Sequence, residues 1–313
     1  MTLKLVLGAD AGLNGGKIVG PRGEVYFPST TVIEPPRMMK FSNALGIQNR
    51  FELKYNDEKY ILGDHAQFIE SFNSLGFDSH GATGSKNDEM ALVRALGGIC
   101  LYIDKYEKFD DEDIEVYMAY GSPIVSVGQG DEVDEIEERF KNNGNAIEVV
   151  YNDIPLNIKI KEIIVLPEGA AAFFSTDFTS QHVYIVDAGS QTINLAAFVN
   201  GNLVPTAADT ITNGVEYFKA NYEKRAPEML GKKVKSAIES LKWPKGSTLH
   251  VCGGYSEQLA TAFNSIRPNS YQMEIIRPEL PQSRKSKSLE PIFANAAGLY
   301  FIAKESFAPA VKG

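Results

Sequence analysis

Apolar residues along this chain gather in short runs that end in glycine-rich turns, and the pattern comes round twice. Leu3 to Ala9 is an apolar run closed by Asp10-Ala11-Gly12, which reads as a buried strand entering a turn. Lys17-Ile18-Val19 and Glu24-Val25-Tyr26-Phe27 flank Gly20-Pro21-Arg22-Gly23 and predict two more strands, so a meander opens the chain. Val183 to Val186 starts again. That run ends in Asp187-Ala188-Gly189, and the next strands are predicted at Asn194 to Phe198 and Leu203 to Ala207. One tripeptide in one strand–turn–strand setting, met twice, marks a duplication on the scale of a domain. The boundary is placed near Leu166, giving domains 1–166 and 167–313.

The stretches between are also patterned. Glu58 to Gly63 predicts a strand leading to a helix at His65 to Phe72. Met90, Leu92, Val93, Leu96 and Ile99 fall at helical spacing within a long helix from Asn87 to Tyr106. An acidic loop at Asp110 to Asp113 precedes a strand from Ile114 to Tyr120, which ends in Gly121-Ser122-Pro123. Asp131 to Lys141 is a charged surface helix, and Ala146 to Asn157 and Ile158 to Leu166 read as two strands. Residues 34–58 are mixed in character and take no assignment.

The chain has 313 residues, 43% hydrophobic and 23% charged, the balance of a folded α/β protein with room for two cores. Its formal charge of −9 argues against a broad basic surface for gripping nucleic acid. Arg284, Lys285 and Lys287 form one local patch, read as a solvated loop. Cys100 and Cys252 sit in apolar stretches without metal-ligand spacing, as buried thiols in a reducing cytoplasm do. No apolar run approaches the roughly 18 residues that span a bilayer, and the first residues lack a signal-peptide pattern. A cytoplasmic protein without a membrane partner is expected. The four histidines, His65, His80, His182 and His250, are scattered and suggest no metal site.

Five segments carry candidate chemistry. In Asp10-Ala11-Gly12-Leu13-Asn14-Gly15-Gly16-Lys17, a bare-backbone turn can bring N–H groups to an anion. Asp10 can hold a hydrated Mg²⁺ through its waters, and Lys17 can reach phosphates as a point charge. Taken alone, the segment is equally well a plain hairpin. Asp187-Ala188-Gly189-Ser190-Gln191-Thr192 repeats the logic, and two such turns can clamp a triphosphate for phosphoryl transfer. Pro167-Glu168-Gly169-Ala170-Ala171-Ala172-Phe173-Phe174 reads as a small-residue helix, a hinge or a tightly packed core element. Glu168 at its start either caps it or orients a water against a phosphate. Thr248 to Cys252 is a strand ending in Gly253-Gly254-Tyr255, where a flat base or ribose can press on bare backbone. Phe293 to Tyr300 is a second small-residue helix, a natural partner for the alanines at 170–172.

In order and spacing these segments resemble the phosphate 1, connect 1, phosphate 2, adenosine and connect 2 motifs of the actin superfamily. The resemblance runs over nearly the whole chain and implies the actin-like ATPase fold, two duplicated ribonuclease-H-like lobes around a nucleotide cleft, with ATP or GTP and Mg²⁺. It implies nucleotide contacts at Gly12, Leu13, Asn14, Lys17, Gly189, Ser190, Gln191, Thr192, Gly253, Gly254 and Tyr255. Asp10 and Asp187 would meet the metal through water, and with Glu168 they would carry the catalysis. Tyr120-Gly121-Ser122-Pro123-Ile124, Ile61-Leu62-Gly63-Asp64-His65-Ala66 and the Asn-x-x-Gly of the 293–300 helix are most similar to the bacterial plasmid-segregation actins, the ParM/StbA group. Such proteins form nucleotide-dependent filaments joined to plasmid DNA by a small DNA-binding adaptor, so DNA would be only an indirect partner. Residues 34–58 would be a small insertion where filament contacts lie, and the C-terminal helix would return toward the first domain. Leu13 and Gln191 depart from the hydroxyl and small residues common at their positions.

Two other functions fit the same fold. A small-molecule kinase would need a further general-base Asp, and the sequence places no carboxylate in the cleft beyond Asp10, Glu168 and Asp187. A non-hydrolysing cytoskeletal scaffold of the division type would end in an amphipathic membrane helix, whereas the tail 304–313 is short and interrupted by Pro309.

Overall fold

The structure is a computed structural model that describes residues 2–12, 14–33, 51–71, 79–80, 88–109, 113–122, 130–266, 270–281 and 286–311. The chain divides into two compact units. One comprises Met1–Tyr120, Asp131–Val165 and Ala303–Gly313, the other Gly121–Gly130 and Leu166–Ile302.

In the first unit, β1 (Leu3–Ala11), β2 (Gly15–Gly20) and β3 (Gly23–Pro28) form an antiparallel meander. β8 (Asp113–Ser122) lies parallel to β1, with Leu3 beside Ile114 and Ala9 beside Tyr120. One face of this pair is core, with Leu5, Leu7, Ala9, Val116, Met118 and Tyr120 all buried in one cluster. The sheet continues through β10 (Ile154–Pro167) and β9 (Ile147–Tyr151) to β5 (Glu52–Tyr55), β6 (Glu58–Leu62) and β4 (Thr31–Ile33). A helix, α1 (Gly63–Ser71), follows β6. α2 (Glu89–Tyr106) packs its buried stripe, Leu92, Val93, Leu96, Ile99 and Ile103 among it, onto this sheet. Asp88 caps it, its Oδ1 accepting the Ala91 N–H at 2.7 Å. α3 (Gly130–Lys141) is the charged helix expected from 131–141.

The second unit repeats the arrangement. β11 (His182–Ala188) and β12 (Ile193–Val199) are antiparallel, and β13 (Asn202–Leu203) and β14 (Asp209–Ile211) both pair with β12. β15 (Thr248–Cys252) runs parallel to β11, and β16 (Gln272–Ile275) parallel to β15. α4 (Val215–Tyr222), α5 (Ala226–Ser240) and α6 (Ser256–Ser265) complete its main core. Trp243 is part of that core. Its ring lies 4.9 Å from Tyr184, and its Nε1–H donates to the Ala207 carbonyl at 3.0 Å. Among the described residues no helix is long and apolar enough to cross a membrane.

Four sequence expectations are corrected. The strand expected over 146–157 is two strands, because Asn152 and Asp153 take φ of 47° and 73° and close a two-residue hairpin between β9 and β10. The strand expected over 203–207 stops at Leu203, since Pro205 cannot donate to a ladder and opens a single 3-10 turn. No helix begins at Glu168. β10 runs through Pro167, the Glu168 N–H donates to the Ser122 carbonyl at 2.7 Å, Gly169 turns at φ 75°, and only a 3-10 turn follows at Ala171–Ser175. The final helix, α7 (Ala294–Val311), passes through Pro309, so that proline does not interrupt the tail. Leu13, residues 34–50, Asn87, Asp110 to Glu112, Pro123, Ile124, Arg284 and Lys285 lie outside the described residues.

Candidate functional site

The first-unit turn is built by the β1–β2 hairpin. Asp10 stands at the end of β1 and faces Lys17 across the ladder, and the Lys17 ammonium lies 3.1 Å from Asp10 Oδ2. Both side chains are largely buried, so the pair is held in one place. Gly12 is required by close approach. A Cβ there would lie 2.8 Å from the Gly15 carbonyl oxygen and 3.0 Å from the Lys17 Nζ. Ser29, beyond β3, ties the turn from beneath. Its hydroxyl donates to the Gly12 carbonyl, and its N–H donates to the Asn14 carbonyl at 3.3 Å. Asp10, Gly12, Asn14 and Lys17 are therefore together, and Ser29 joins them without any motif to announce it.

The second-unit turn has a different support. Asp187 ends β11 and is 7% exposed. Asn295, near the start of α7, donates from Nδ2 to Asp187 Oδ2 at 2.9 Å, while its Oδ1 accepts the N–H groups of Gly169 and Ala172, each at 3.1 Å. One amide side chain thus joins Asp187, at the end of β11, to the turn that carries Glu168. Asn194 adds a bond to Asp187 Oδ2 at 3.5 Å, and the Cys252 thiol lies 3.7 Å from Oδ1. Asn295 and Asn194 were not singled out as site residues. The Asn-x-x-Gly spacing carried the signal for Asn295, but no local pattern marks Asn194.

Glycines let these backbones meet. A Cβ on Gly298 would fall 1.8 Å from the Ala171 carbonyl oxygen, so the small residues of 170–172 and of α7 do pack together. Cβ atoms on Gly214 and Gly253 would lie within 2.6 Å of backbone atoms of Ser190 or Gln191 and of Ala188, respectively. The N–H groups of Val215 and Glu216, opening α4, donate to the carbonyls of Gly189 and Ser190 at 3.1 and 3.0 Å. Gly253 is thus bare because β11 needs the space. Gly254 is exposed, and Tyr255 heads α6 with the Lys219 ammonium 5.3 Å from its ring centre. Glu168 sits against Gly121, where a Cβ would be 3.3 Å from the Glu168 Cγ. Since Glu168 heads no helix, the capping role is removed.

A family model described as the N-terminal domain of actin-like proteins matches residues 8–170, just over half of the chain. The chain belongs to the actin-like protein family. Solved structures agree on the fold of this actin-like protein. Apo ParM of psk41 gives a TM-score of 0.73 at 15% identity, covering 99% of this chain and 99% of that one. A filament of AlfA from the B. subtilis plasmid pLS32 gives 0.68 at 17% identity, covering 94% and 97%. The archaeal actin homolog Ta0583, solved in complex with ADP, gives 0.65 at 16% identity, covering 97% and 99%. A search of curated proteins finds no match. At these identities the likeness is one of fold, the actin-like ATPase fold.

Proposed function

We propose that this actin-like protein is a filament-forming ATPase, and that it drives plasmid segregation through a small DNA-binding adaptor. The observation that carries the reading is the recurrence of one device. In each unit a strand-end aspartate, Asp10 or Asp187, stands beside a turn whose glycine, Gly12 or Gly189, has no room for a Cβ. That device suits the phosphate tail of ATP or GTP, held by two actin-like domains, 1–166 and 167–313, with the C-terminal helix returning toward the first. Relatives of the same fold support it: one AlfA filament is described as bound to AMPPNP and Ta0583 as complexed with ADP.

Each residue then has a role. Gly12, Leu13, Asn14 and Lys17 meet the phosphates from the first unit, and Gly189, Ser190, Gln191 and Thr192 from the second. Gly254 and Tyr255, with Lys219 beside the ring, take the nucleoside, and Gly253 keeps the phosphate 2 strand in place. Single buried carboxylates at strand ends fit a Mg²⁺ held through its own waters, because that ion keeps much of its hydration shell. When bound, Mg²⁺ supplies charge neutralisation at the phosphate oxygens. Glu168 orients the attacking water, fixed by the Asn295 bond to the next residue's N–H. The acidic chain leaves the DNA contact to the adaptor.

Light scattering with pelleting, in Mg²⁺ and ATP, GTP, ADP or no nucleotide, tests the reading. A signal that needs triphosphate and decays as phosphate is released is expected. A flat trace at every nucleotide rejects the filament.

A further inference from the structure

Four strands of the second unit contribute to one row of polar side chains. Asp187 of β11 stands opposite Asn194 of β12, Asn194 stands opposite Thr210 of β14, and Asp187 has Cys252 of β15 on its other side. Residues directly across from one another lie on the same face of a sheet, so the four share one face. Their hydrogen bonds all run toward the carboxylate. The Thr210 hydroxyl donates to Asn194 Oδ1 at 3.0 Å, Asn194 Nδ2 donates to Asp187 Oδ2 at 3.5 Å, and the Cys252 thiol lies 3.7 Å from Asp187 Oδ1.

The direction has a physical cause. An ionised carboxylate only accepts, so the Asn194 amide turns Nδ2 toward Asp187 and Oδ1 toward β14. Asn194 is 5% exposed. A carbonyl oxygen at that depth needs a donor, and the Thr210 hydroxyl supplies it. Bonds in series polarise one another, so the hydroxyl also strengthens the hold of the amide on the carboxylate. The amide is confined on another side by the Glu168 turn, since a Cβ on Gly169 would lie 2.6 Å from the Asn194 Cβ and 3.6 Å from its Nδ2. Thr210, half-buried at the β14 end of the row, therefore sets where the amide sits.

We propose that Thr210 is a positioning residue for Asp187, holding the carboxylate through Asn194 in the orientation that suits a hydrated Mg²⁺ on the nucleotide. This rests on the nucleotide reading above, and it gives the metal site a determinant on a strand outside all five motif segments. Asn295 holds the same carboxylate oxygen at 2.9 Å, so loss of the hydroxyl weakens the site without abolishing it.

The test is calorimetric titration of wild type, Thr210→Val and Thr210→Ser with AMPPNP, in Mg²⁺ and in EDTA. Valine keeps the shape and drops the hydroxyl, whereas serine keeps the hydroxyl. Thr210→Val should weaken binding in Mg²⁺ about fivefold while binding in EDTA stays within about twofold, and Thr210→Ser should stay within about twofold in both. Equal losses with and without the metal, no loss for valine, or the same loss for serine as for valine each overturn the inference. In the nucleotide-free protein the Asn194 side-chain amide resonances should move in Thr210→Val and hold in Thr210→Ser, and resonances unmoved by valine also overturn it. A wild-type chain that binds no nucleotide overturns the nucleotide reading itself, and this inference with it. If Thr210→Val does not fold, the wild-type Asn194 amide resonances decide: they should move when Mg²⁺ is added to the AMPPNP complex, and unmoved resonances overturn the inference.

Discussion

Replacing Asn295 with Ala removes the side chain that joins Asp187 to the Glu168 turn. Three hydrogen bonds are lost, two from backbone N–H groups to Oδ1 and one from Nδ2 to a carboxylate. At about 1 kcal/mol for each neutral bond and about 2 for the bond to the charged group, the loss comes to roughly 4 kcal/mol. Burial gives the figure weight: Asn295 is 6% exposed and Asp187 7%, so water does not readily replace the missing partner. Asn295→Asp should cost at least as much, because it sets a second carboxylate where the donor stood, 2.9 Å from Asp187 Oδ2. Urea unfolding followed by tryptophan fluorescence is the assay, since Trp243 is the only tryptophan and lies in the core of the same unit. A double-mutant cycle with Asp187→Ala should give a coupling of about 1.5–3 kcal/mol. A loss under about 1 kcal/mol for Asn295→Ala, or additive single losses in the cycle, would refute the reasoning.

Two further outcomes are expected. Glu168→Gln keeps the contact with Gly121 but loses the carboxylate, and it should slow phosphate release about 10²-fold or more while nucleotide binding stays intact. A phosphate assay giving the wild-type rate would remove Glu168 from the reaction. Burial pushes the His250 imidazole below its ordinary value, with Glu274 opposing, so the folded state takes up its proton later than the unfolded state does. Stability is therefore full above about pH 6.5 and falls as the pH drops below that value toward the lowered folded pKa. His250→Gln should flatten this fall. Urea midpoints measured on both sides of about pH 6.5 that drop equally in wild type and variant would contradict it.

Much of the fold is legible in the sequence because it rests on local pattern. The apolar runs at 3–9 and 183–186 are central strands, and the helical spacing from Met90 to Ile99 is a helix capped by Asp88. Strand–turn–strand order and the twice-written Asp-Ala-Gly are properties of neighbouring residues, so no distant contact is needed to see them. Errors arose where one residue's backbone overruled its neighbours' hydrophobicity: Asn152 and Asp153 at positive φ, Pro205 without an N–H, and Gly169 turning the chain away from a helix. Only tertiary structure decided how the turns are supported. Ser29 meets Gly12 from 17 positions away, and Asn295 meets Gly169 from 126 and Asp187 from 108. The bare backbone of Gly253, which as sequence reads as a place for a base or ribose, and that of Gly298, which reads as part of a small-residue helix, are met on one side by the backbones of Ala188 and Ala171. A side chain's local pattern states its own preference. Its partner across the fold is chosen by packing, which brings remote backbones within van der Waals distance and sets Thr210, Asn194 and Asp187 in one row only once the chain is folded.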